Sequence, residues 1–142
     1  MKQAGCEILD VSGVWQSPSW PPEKIAPEYI NACLQIECRH DALSLLTLLH
    51  EIETKLGRVR SEVNAPRYLD LDLLDFRGEI LTTPAIHIPH PRMMKRGFVL
   101  FPLSQIAPNW RHPATKEGIE AAISRLPLKD TAPMQYLGRP AL

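Results

Sequence analysis

The run Tyr-Leu-Asp-Leu-Asp-Leu-Leu-Asp-Phe at 68–76 alternates leucine with aspartate. The run is expected to form a strand, in which successive side chains point to opposite faces, so Leu69, Leu71 and Leu73 are expected on one face and Asp70 and Asp72 on the other. Two carboxylates sharing a face stand roughly 6 to 7 Å apart and repel unless a cation sits between or beside them. A chain holding this segment must therefore bury one side of it and leave the other open.

The remaining pattern supplies the partners for such a segment. Residues 7–17 (EILDVSGVWQS) alternate as a strand, with Leu9, Val11 and Trp15 on one side and Asp10 and Ser12 on the other. A proline-fixed loop follows, with Pro18, Pro21, Pro22 and Pro27. Residues 29–38 read as a second strand, Ile30, Ala32, Leu34 and Ile36 facing a core and Tyr29, Asn31, Cys33 and Gln35 facing away. From the capping Asp41 a helix is expected, with Ala42, Leu45, Leu46, Leu49, Ile52 and Leu56 as its stripe and Gly57 just past its end.

Beyond the alternating run, Arg77 and Gly78 suit a turn and 79–82 a short returning strand. A loop spans the stretch with Pro84, Pro89 and Pro91, and 98–106 is a short apolar segment. Ile119, Ala122, Ile123 and Leu126 mark a C-terminal helix ended by Pro127, and Met134 onward is a poor internal strand because of Gly138 and Pro140. Strands and helices mix without strict alternation, which predicts an α+β fold: an antiparallel sheet with helices on one face, in a single domain over 1–142.

Composition narrows function. Sixteen basic and 16 acidic residues give no net charge, and aromatics are 6%, so neither nucleic acid nor an anionic membrane is an expected partner. No apolar window is long enough for a membrane span and Glu7 and Asp10 interrupt the start, so a cytoplasmic protein is expected. Cys6, Cys33 and Cys38 do not make a zinc spacing and read as thiols of a reducing compartment.

Asp70 and Asp72 offer hard oxygen ligands that suit Mg²⁺ completed by phosphates and water; an exposed polar face of an edge strand is the plainer account of an isolated D-x-D. Arg58, Arg60 and Arg67 shift the balance, because arginine's planar fork suits phosphate oxygens and a helix C-terminus does not account for Arg67. His90 and Arg96 lie on the proline-fixed loop, and Asn31 offers donors and acceptors to the edge of a flat heterocycle that Tyr29 or Phe98 could stack on. A glycosyltransferase using D-x-D is disfavoured by the chain's length and the lack of a glycine-rich nucleotide loop.

The runs GRVR, APRYLDLDLLDF and IPHPRMMKRGFVLFPLSQIAP, with YINA and IETKLGR, resemble the 6-hydroxymethyl-7,8-dihydropterin pyrophosphokinase family of folate biosynthesis, collinearly from about 8 to about 125. The resemblance implies a ferredoxin-like α+β fold, and transfer of a pyrophosphoryl group from ATP to the pterin's hydroxymethyl oxygen with release of AMP, by a monomer. It implies that Asp70 and Asp72 bind two Mg²⁺, that Arg58, Arg60 and Arg67 act in catalysis, and that His90, Arg96 and Glu53 bind ATP. Asn31, Tyr29, Phe98, Ser17 and Trp20 would line the pterin site. The sequence departs from the family's pattern at Val63, Asn64 and Ala65, where relatives carry an aromatic lid, and at Ala85 and His87. The family's opening strand, G-S-N loop and first helix have no counterpart, so an N-terminally truncated chain of low stability and weak activity is expected, or an inactive relative that binds nucleotide or pterin without turnover.

Overall fold

The computed structural model describes residues 5–17, 29–57 and 70–139. Contacts cluster into two compact units, one of Met1–Glu37 with Arg92–Leu142 and one of Cys38–Pro91. Both are built from helices and short antiparallel strand pairs, in keeping with the α+β expectation.

In the first unit, strands β1 (Cys6–Val11), β2 (Val14–Ser17), β3 (Tyr29–Asn31) and β4 (Leu34–Cys38, all but its last residue) divide the two expected strands in half. β1 pairs with β4, while β2 lies between β3 and the C-terminal strand β7 (Gln135–Gly138), antiparallel to both. The breaks fall at Ser12-Gly13 and Ala32-Cys33, where the side chain of Ser12 replaces a ladder bond. Ser12 N–H donates to the Cys33 carbonyl at 2.9 Å, and Cys33 N–H donates to Ser12 Oγ at 2.7 Å. Each break resets which side chains point inward. Ser12 is fully buried where an outward residue was expected, Cys33 is buried, and Leu9, Ile30 (63% exposed) and Leu34 face solvent. A buried hydroxyl is tolerable there because it both donates and accepts.

The 98–106 segment is a helix, α2 (Gly97–Ile106), entered through a 3-10 turn at Met93–Lys95. Proline inside it argues for an extended segment, yet Pro102 is buried and only the Phe98 carbonyl loses its helical partner. α2 packs against β2, the 3-10 turn and α3 (Ile119–Arg125), burying Met93, Leu100, Leu103, Ile119 and Ala122. Pro127 caps a short α4 (Leu128–Thr131) after α3 has ended at Arg125. On β2, Trp15 stacks on Phe101 at 5.2 Å and meets Tyr136 of β7 at 5.0 Å, while Gln105 Oε1 accepts from Gly13 N–H and Trp15 Nε1–H.

In the second unit, α1 (Ala42–Gly57) starts at Asp41, whose Oδ1 accepts the Ser44 N–H at 2.8 Å. That bond holds the Asp41 carboxyl below its ordinary range. Ala42, Leu45 and Leu49 of the expected stripe are buried, whereas Leu56 is exposed. The aspartate-leucine segment is extended at 70–75 but forms no strand ladder among the described residues. It ends in a turn closed by Glu79 N–H on the Phe76 carbonyl, with Arg77 (φ 54°) and Gly78 (φ 71°) both left-handed. Two successive positive φ values define the hairpin-type turn that glycine favours. β5 (Leu81–Thr82), within the short strand expected at 79–82, then pairs antiparallel with β6 (His87–Ile88), which lies inside what the sequence reads as a loop.

Two outcomes are expected. A Cβ at Gly13 would stand 2.2 Å from Tyr136 Cε1, so Gly13→Ala must push the ring off Trp15. The loss is about 0.5–1.5 kcal/mol in urea unfolding, and most of it disappears in a Tyr136→Ala background; equal cost in both backgrounds would contradict the docking of β7 on β2. Burial pushes the Cys33 thiol from 9.0 up to about 11, against a smaller opposing bond from Leu34. The folded chain thus keeps a proton that the unfolded chain loses, so this stabilisation is complete below pH 9 and fades toward pH 11. Cys33→Ala should flatten that stretch of the stability profile, and an unchanged profile would refute it.

Candidate functional site

In the second unit, exposure alternates along the acidic segment: Asp70 and Asp72 are exposed, while Leu71 and Leu73 are half-buried. The two carboxylates therefore share an open side without a β-ladder to hold them there. Glu53, in the penultimate turn of α1, reaches the segment instead: its Oε2 accepts the Leu71 N–H at 2.8 Å. One carboxylate is thereby spent on the backbone between the two that remain exposed. Asp72 has no ion-pair partner among the described residues.

Asp75, three residues on, has a different part. Its Oδ2 accepts the Gly78 N–H at 3.3 Å, closing the turn, and its Oδ1 is buried without a hydrogen-bond partner among the described residues. His90 N–H donates to the Leu74 carbonyl at 2.9 Å, which ties the loop after β6 to the far end of the acidic segment. Arg77 spans the turn, stacking on Phe76 at 4.6 Å and donating from Nη2 to the Cys38 carbonyl.

The donor set fits a hard cation. Asp70 and Asp72 offer exposed oxygens on one side, and among the described residues they are not part of a ready-made cluster of three or more mutually adjacent ligand atoms. Two protein ligands leave most of an octahedral shell to water and phosphate, which is how Mg²⁺ is commonly held.

In the first unit, β2 and β3 bring three further residues together, in the register Trp15↔Asn31 and Ser17↔Tyr29. Trp15, Ser17 and Asn31 share the face on which Trp15 meets α2. Ser17 is buried, Asn31 half-buried, and the polar side of this strand is thus the covered one, contrary to the sequence expectation. α2 fills that face with its own apolar residues, so strand β3 does not need to. At the start of α2, Arg96 occupies the N-cap position with its guanidinium over the Phe98 ring at 5.4 Å. Trp20, Arg58, Arg60 and Arg67 lie outside the described residues. Sequence reasoning missed the bond from Leu71 to Glu53; the only signal was a carboxylate beside the helix stripe, one residue after Ile52.

Comparison with known proteins bears on what such a carboxylate pair is for. Residues 1–108 match the family model described as 7,8-dihydro-6-hydroxymethylpterin-pyrophosphokinase. The chain belongs to this family. It is 38% identical over 123 residues to the 2-amino-4-hydroxy-6-hydroxymethyldihydropteridine pyrophosphokinase of Synechocystis, covering 87% of this chain and 62% of that protein. The like-named protein of Aquifex aeolicus is 32% identical over 131 residues, covering 92% of this chain and 76% of its own. That of Pseudomonas aeruginosa is 40% identical over 87 residues, 61% of this chain and 54% of its own. The chain therefore spans less than two thirds of the Synechocystis and Pseudomonas relatives, and about three quarters of the Aquifex one.

Because both carboxylates are exposed, Asp70→Asn with Asp72→Asn should melt at or slightly above the wild-type temperature, relief of repulsion offsetting any loss. A fall of several degrees would make the pair structural.

Proposed function

We propose that the chain transfers a pyrophosphoryl group from ATP to the hydroxymethyl oxygen of 6-hydroxymethyl-7,8-dihydropterin, releasing AMP. The hydroxyl oxygen forms a bond to the β-phosphorus, the bond from that phosphorus to the α,β-bridging oxygen breaks, and the hydroxyl proton leaves. The observation that carries this reading is the exposed Asp70 and Asp72 pair, in a chain whose family match includes it.

Asp70 and Asp72 would hold Mg²⁺, two ions in the full assignment, which neutralises charge on the triphosphate when bound. Phosphoryl transfer depends on in-line placement and charge neutralisation more than on a strong base, so arginines matter as much as carboxylates. Arg58, Arg60 and Arg67 are assigned to the developing phosphate charge, and His90 and Arg96 to the nucleotide phosphates. The family resemblance places Glu53 on the nucleotide side. Asn31 is assigned to the edge of the pterin ring, its amide offering both a donor and an acceptor. Ser17, Tyr29, Phe98 and Trp20 would complete the walls, with the aromatic rings stacking on the heterocycle.

The same reading takes small molecules as substrates, with no nucleic-acid or membrane partner, a monomeric chain and the cytoplasm as its place, in keeping with the zero net charge and 6% aromatic residues. No described helix is long and apolar enough to cross a membrane, and Cys6, Cys33 and Cys38 are thiols.

The test is AMP formation from ATP that requires both Mg²⁺ and the pterin alcohol. The Asp70→Asn, Asp72→Asn double variant is expected to lose two to three orders of magnitude in turnover at saturating Mg²⁺. Asn31→Ala should weaken pterin binding by about 1–3 kcal/mol with little change in the KM for ATP. Near-native turnover by the double variant would overturn the metal assignment. Binding of both substrates by the wild type with no AMP released would replace the enzyme with a binding protein.

A further inference from the structure

The peptide that joins Asp70 to Leu71 has one backbone donor, and no neighbouring strand among the described residues supplies it with an acceptor. Backbone N–H groups are held by a partner or by water. Here the partner is a carboxylate from another element, Glu53 Oε2 at 2.8 Å, half-buried and carried by a helix whose start is capped by Asp41. Side-chain capture of one N–H fixes the plane of the peptide between the two exposed aspartates, and with it the direction in which Asp70 leaves the chain relative to Asp72.

We infer that Glu53 is a positioning residue for the Asp70 and Asp72 carboxylates: it acts as a hydrogen-bond acceptor for Leu71 N–H and not as a ligand of nucleotide or metal. This rests on the reading above, in which the two aspartates hold Mg²⁺. It departs from the role that the family resemblance gives Glu53, since one oxygen of that carboxylate is committed to the backbone before any nucleotide arrives. The assignment also has a consequence that a charge-based role lacks. An acceptor is all that the geometry requires, so glutamine, whose Oε1 accepts equally well, should replace glutamate, while alanine should not.

The experiment measures Mn²⁺ affinity by electron paramagnetic resonance, in the presence of a non-hydrolysable ATP analogue, for wild type and Glu53→Gln, Glu53→Ala and Asp70→Asn variants. Leu71 amide hydrogen exchange is followed in the same proteins. Glu53→Ala is expected to weaken Mn²⁺ binding about tenfold, the scale usual for residues that orient metal ligands, and to speed Leu71 exchange. Glu53→Gln should restore both to within about threefold of wild type, and the Ala variant should lose turnover with little change in the KM for the pterin. Loss of Mn²⁺ affinity by Gln equal to that of Ala would make charge the cause and overturn the inference, as would unchanged affinity in the Ala variant while Asp70→Asn loses it. Unchanged affinity in Asp70→Asn would instead sink the metal assignment itself. If Glu53→Ala does not fold, the Gln variant and the wild-type Leu71 exchange still decide: an unprotected Leu71 amide in the wild type excludes the bond.

Discussion

The hydrogen bond from Leu71 N–H to Glu53 is the constraint on which the acidic segment depends. A charge-assisted bond of this kind is worth about 1.5–3 kcal/mol. Repulsion between two exposed carboxylates roughly 6 to 7 Å apart is about 0.6 kcal/mol in water and about 2.5 kcal/mol at the effective dielectric of a protein surface. The bond is thus of the size needed to hold the segment extended against the charges it displays. A second strand paired along 70–75 would do the same, but its own side chains would crowd the open face. Fixing the segment through one side chain leaves both aspartates exposed.

The first unit solves a different problem by similar means. β2 presents Ser17 and, across the pair, Asn31 on a covered face that its own Trp15 shares. Gln105 takes two donors, Gly13 N–H and Trp15 Nε1–H, on one oxygen, and the Trp15 ring spans Phe101 and Tyr136. Polar residues near the covered face are then supported by a frame of aromatic contacts in which the Trp15 indole N–H is satisfied.

What the sequence made legible was what depends on a regular period or a single cap. The helix from Asp41, the turn at Arg77 and Gly78, and the outward placement of Asp70 and Asp72 follow from local rules, and all three stand. The inward faces of the two long strands did not, because alternation presumes an unbroken strand. Ser12 and Cys33 break each of them with a side chain-to-backbone bond between residues 21 apart, which no local pattern carries. α2 was hidden by Pro102, whose cost to the helix is outweighed by an almost wholly apolar neighbourhood. The Glu53 bond was hidden for a related reason: a carboxylate's partner 18 residues away is set by tertiary placement, not by spacing.

The central claim, that the exposed aspartates of 70–72 are the metal and phosphate platform, is tested most directly by nuclear magnetic resonance of the labelled protein. Substoichiometric Mn²⁺ is added with a non-hydrolysable ATP analogue, and amide line broadening is mapped along the chain. The account predicts the strongest broadening at Asp70, Leu71 and Asp72, dependent on the nucleotide and reversed by excess Mg²⁺. Broadening centred elsewhere in the chain, with residues 70–72 left sharp, would contradict it.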